Sequence, residues 1–214
     1  MPTTDQVYQL IQKRDAFEVP KEYREMHEKG WFAADGSYKS RGTKYLWMND
    51  MEWLEPLQIL ELHFPFPESR NNDFVPFAMT AGGDYWCWYP AFSENGVAPV
   101  AQCPHDSIIG EIYAPHLYGA MYRQALEYAK FVDEEEDEVR AQIKDWLQRT
   151  GPNWPPSWQH QIQEISRRPL QIWRVRNHVV KGLITEEEIK SIVQRDLSFS
   201  RLGQEFKWMA EIDE

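Results

Sequence analysis

The stretch FVPFAMTAGGDYWCWYP, residues 74–90, constrains the fold of this chain more than any other. Two runs rich in aromatic and β-branched residues flank TAGG, a connection short enough for a β-hairpin. Successive side chains on a strand point to opposite sides, so Tyr85, Cys87 and Tyr89 share one face while Trp86 and Trp88 share the other. A strand with large apolar groups on both faces is expected at the centre of a sheet, covered twice. VAPVAQCP, residues 97–104, supplies a further strand.

Helical signals surround this β-rich middle. Thr3 and Gln6 have capping-box spacing, and Val7, Leu10 and Ile11 continue a helix expected to end near Asp15. Pro20 starts a second helix carrying Tyr23, Met26 and His27, with Gly30 to end it. ADGSYKSRG is turn chemistry, TKYLWM reads as a strand, and residues 52–72 mix periodicities around three prolines. From about Ala114 the pattern is helical through YGAMYRQALEYAKFV. The acidic run DEEEDE, residues 133–138, marks a solvated junction in front of a helix bearing Val139, Ile143, Trp146 and Leu147. Pro169 is expected to open a helix through LQIWRVRNHVVK, with Gly182 as its C-terminal cap. Thr185 and Glu188 form another capping box ahead of Ile189, Ile192 and Val193. The spacing therefore predicts an α+β body over residues 1–132 and a helical extension over residues 133–214.

The net charge of −11 argues against phosphate-backbone binding as the main activity, and suits both solubility and a basic protein partner. The chain has no basic-then-apolar secretory start and no run approaching the roughly 18 apolar residues of a membrane span, so a cytoplasmic location is expected. Cys87 and Cys103 are isolated. They make either one disulfide between neighbouring strands or two thiols in a reducing compartment, the commoner case. CPHD places Cys103, His105 and Asp106 within four residues at a strand end. A metal site there needs further ligands, such as Asp84 or His63, and a polar strand terminus is the commoner explanation. TAGG leads into a strand instead of a helix and so lacks an anion-binding helix N-terminus. No catalytic constellation, cofactor motif or metal motif stands out. The aromatic content of 14% is what both a core and a protein-binding surface use.

FVPFAMTAGGDYWCWYP resembles the central signature of the SUKH superfamily, which comprises a cell-wall regulator type and many bacterial toxin-immunity proteins. Pro76 and Phe77 match its first strand, Gly82, Gly83 and Asp84 its turn, and Tyr85 to Tyr89 its aromatic strand. Pro20 and Tyr23 resemble its Pro-x-x-Tyr helix start, and the similarity spans roughly residues 17–132. The resemblance implies a twisted, mainly antiparallel sheet with packed helices, no shared catalytic residues, and action by binding proteins, basic toxin domains among them. The expected partner-binding patch is Asp84, Trp86, Trp88, Asp106 and Glu111. Core packing of the two tryptophans and a turn-stabilising role for Asp84 stand beside that expectation. A small-molecule or metal-dependent enzyme with a site near His105 and Asp106 is the alternative, and a homodimeric structural subunit is a third.

Overall fold

A computed structural model describes residues 2–32, 46, 48–49, 51–62, 73–131, 136–175 and 178–208. The fold is α+β, with a six-stranded antiparallel sheet among the described residues. Two compact units emerge, residues 1–117 with 201–214, and residues 118–200. This differs from a partition at residue 132.

In the first unit, α1 (Thr4–Asp15) starts where the sequence places it: Gln6 N donates to Thr3 Oγ1 and Thr3 N donates to Gln6 Oε1. Pro20 precedes α2 (Lys21–Glu28), and Gly30 follows it at φ +70°. Then come β1 (Glu52–Trp53) and the short α3 (Pro56–Glu61). The expected strand TKYLWM and the segment around His63 fall mostly outside the described residues. β2 (Val75–Met79) and β3 (Tyr85–Trp88) form the expected hairpin. β4 (Val100–Cys103) follows as expected, and β5 (Ile109–Ala114) adds a strand that the sequence reading did not include.

The sheet order is β1-β2-β3-β4-β5-β8, with β8 formed by Glu205–Lys207, and it puts β3 inside. Trp86, Cys87 and Trp88 are buried to 1%, 0% and 0% exposure. Trp88 meets Phe17, Tyr23 and Phe77 with ring centroids 5.5, 5.2 and 4.6 Å away, and Trp86 meets Tyr113 edge-on at 4.6 Å. Such aromatic pairs add about 0.5–1.5 kcal/mol each beyond the area they bury. The outermost strand, β8 (Glu205–Lys207), comes from near the chain's far end and pairs with β5. Gly110 admits it, since a Cβ there would lie 2.7 Å from Gln102 O and 2.8 Å from the Phe206 ring.

The second unit holds α4 (Leu117–Tyr128) from its second residue on, α5 (Glu136–Arg149), α6 (Pro156–Arg167) and α7 (Glu186–Asp196). α5 carries Glu136, Asp137 and Glu138 in its first turn, where the helix dipole favours negative charge, and it buries Val139, Ile143 and Trp146. The Thr185–Glu188 capping box opens α7. Residues 169–182 correct the sequence reading. Among the described residues of that stretch there is no helix; β6 (Gln171–Val175) and β7 (His178–Gly182) form a separate two-stranded sheet. Ile172, Trp173, Val179 and Val180 favour pleated backbone, and this outweighs the helix-start and cap positions of Pro169 and Gly182. The extension is therefore not wholly helical.

Candidate functional site

The β2–β3 turn is closed by Thr80 N donating to Asp84 O at 2.9 Å and by Gly83 N donating to Thr80 O at 3.0 Å. Gly83 sits at φ +99°, a conformation L side chains rarely adopt, which explains the glycine. Asp84 N donates to Thr80 Oγ1 at 3.0 Å, which fixes the carboxylate beside the β4–β5 turn. There the His105 backbone N–H donates to Asp84 Oδ1 at 2.9 Å, and His105 Nδ1 lies 2.7 Å from the same oxygen. An ionised carboxylate only accepts, so Nδ1 carries the proton. The β4–β5 turn is also tied to Trp208, whose Nε1 donates to Ser107 O at 2.7 Å.

Asp106 completes the cluster. One ligand-type atom each from Asp84, His105 and Asp106 lies within 4.8 Å of the others. Partial burial pushes the Asp84 pKa up, but hydrogen bonds from the His105 backbone and ring, the His105 charge and the Thr80 hydroxyl outweigh it and leave the carboxyl below its ordinary value. His105 moves upward, first through its bond to Asp84; desolvation opposes this, and the charges of Asp84 and then Asp106 add to the rise. The pair is thus biased towards the ionised carboxylate and the imidazolium, and the site can offer anionic oxygens to a cation or to a basic side chain.

The structure divides the expected patch. Asp84 is half-buried, Asp106 is exposed, and both stand at one end of the sheet. Glu111 is half-exposed on β5, opposite Gln102 on β4 and Glu205 on β8, outside the three-residue cluster. Trp86 and Trp88 do not belong to a surface: β3 has a strand on each side, and aromatic side chains cover both tryptophans. The pairing of Asp84 with His105 bridges 21 positions and follows from the β3–β4 register, in which Tyr85 opposes Cys103. Cys103 takes no part in the cluster. It is buried and free beside Cys87, whose thiol pKa is pushed well up by burial and by the bond to Cys103.

A second feature escaped the sequence. A cleft of about 170 Å³ is lined in part by Thr4, Val7, His27 and Glu55, with His27 Nε2 2.9 Å from Glu55 Oε2. It has no signature in the sequence, because its walls come from α1, α2 and the start of α3. Comparison with protein-family models, curated proteins and solved structures gives no match.

Proposed function

We propose that the chain is a non-enzymatic, SUKH-like protein-binding module of the cytoplasm, of the toxin-immunity type. It would engage a basic protein through the acidic end of its sheet. The observation that carries this reading is the unequal division of charge. Residues 1–117 with 201–214 contain 21 acidic and 11 basic residues, whereas residues 118–200 contain 13 and 12. The Asp84–His105–Asp106 cluster presents part of that negative charge on two short, well-anchored turns. A fixed acidic surface steers a basic partner and raises its association rate. The two thiols suit a reducing compartment.

The test uses the tagged protein as bait in lysate of its own organism, beside Asp84→Lys/Asp106→Lys and Trp88→Phe variants of equal far-UV circular dichroism. A basic protein retained by the native chain and by Trp88→Phe, but lost from the charge-reversed variant, is the expected result. Equal retention by all three overturns the proposed interface.

The convergence of three ligand groups favours a second reading, a divalent-cation site at Asp84, His105 and Asp106. Calorimetric titration with Zn²⁺ separates the two. Saturable binding lost in His105→Ala supports the cation, and its absence leaves the protein-binding reading alone.

A further inference from the structure

Between Arg167 and Gly182 the chain carries five Arg or Lys residues and no Asp or Glu, although the net charge of the protein is −11. Most of this segment is the β6–β7 hairpin. Its register sets Ile172 opposite Lys181, Trp173 opposite Val180, and Arg174 opposite Val179. Directly opposed residues share a face, so Ile172, Arg174, Val179 and Lys181 form one surface. All four are exposed, Ile172 to 69% and Val179 to 61%.

The other face is closely packed at its Gly182 end. A Cβ on Gly182 would lie 2.1 Å from Lys130 O and 2.6 Å from the Trp173 ring, so backbone and indole meet there with no space to spare. The exposed face also contrasts in charge pairing with most of the basic residues of its unit. Lys130, Arg140, Arg149, Arg168 and Arg195 each pair with a carboxylate. Arg174 and Lys181 have no ion pair among the described residues. Neither β6 nor β7 has a second partner strand among them, so each presents a backbone edge.

We propose that this face docks an acidic, extended segment of a partner protein, added as a strand along a hairpin edge. Main-chain hydrogen bonds would extend the sheet. On the side of the added strand that shares this face, carboxylates would meet Arg174 and Lys181, and apolar side chains two residues away from them would cover Ile172 and Val179. Charge complementarity selects an acidic occupant. The two branched aliphatic side chains select a protein, since a phosphate backbone offers them no apolar cover. The surface is independent of the acidic cluster at Asp84, and its failure would leave that proposal standing.

The probe is a fluorescein-labelled peptide of about eight residues alternating Thr with Val or Glu, read by anisotropy against the full chain at low ionic strength. Binding is expected to weaken roughly tenfold in Arg174→Glu/Lys181→Glu and to weaken also in Ile172→Ser/Val179→Ser, each variant checked for native circular dichroism. The same peptide with Lys in place of Glu is expected not to bind. No saturable binding of the acidic peptide, or equal binding to the native chain and the variants, overturns the proposal. So does tighter binding of phosphatidylserine vesicles or duplex DNA that the peptide does not displace.

Discussion

Asp84 and His105 titrate in opposite senses, and each shift has its own pH window. Asp84 is more acidic folded than unfolded. Its contribution to stability is present above the ordinary value of 3.8 and is lost as pH falls through the lower folded value. The His105 contribution is full below the ordinary value of 6.5 and is lost as pH rises through its raised folded value. A proton NMR titration should therefore place the His105 midpoint above 6.5 in the native chain and return it towards 6.5 in Asp84→Asn; an unmoved midpoint would contradict the pairing. Tyr8 gives a different residue-level expectation. Its hydroxyl is buried with no hydrogen-bond partner among the described residues. Tyr8→Phe should be neutral or stabilise by up to about 1 kcal/mol in urea unfolding, since an unpaired buried polar group costs free energy. The sequence shows Asp84 and CPHD as polar residues at strand ends. It does not show that they meet, because that depends on a register between strands and not on local spacing.

Among elements, those with local signals were legible: the capping boxes of α1 and α7, the Pro20 start of α2, and the β2–β3 hairpin. β8 was not legible, because a strand of three residues takes its stability from pairing with β5, about a hundred positions earlier in the chain. The β6–β7 segment reads as a helix in the sequence because Gly182 looks like a helix cap. Its actual role is close approach to the Lys130 backbone. This distinction is testable. Gly182→Ala should destabilise the chain by about 1–3 kcal/mol, because the obstacle is a backbone carbonyl that cannot swing aside. Gly203→Ala meets open space and is strained only by φ +71°, so it should cost about 1 kcal/mol. Urea denaturation of both variants checks the order, and equal costs would refute it.

For the whole molecule, the α+β class and the central place of β3 followed from the two-sided aromatic pattern. The division into units did not, since the last strand of the first sheet returns from beyond residue 200. Burial separates the roles of residues that the sequence had grouped together. Trp88→Ala should cost about 3–5 kcal/mol of stability, as truncation of a fully buried aromatic does. Asp84→Lys/Asp106→Lys should cost far less stability and should remove partner binding. Association of the native chain with a basic partner should also slow as ionic strength rises, because screening shortens the reach of the acidic unit. The most direct measurement is amide hydrogen exchange of the native chain, free and bound to the retained partner. Slower exchange on binding at residues 80–84 and 104–111 is the predicted result. Protection confined to other segments, with those two turns exchanging as in the free protein, would contradict the placement of the interface.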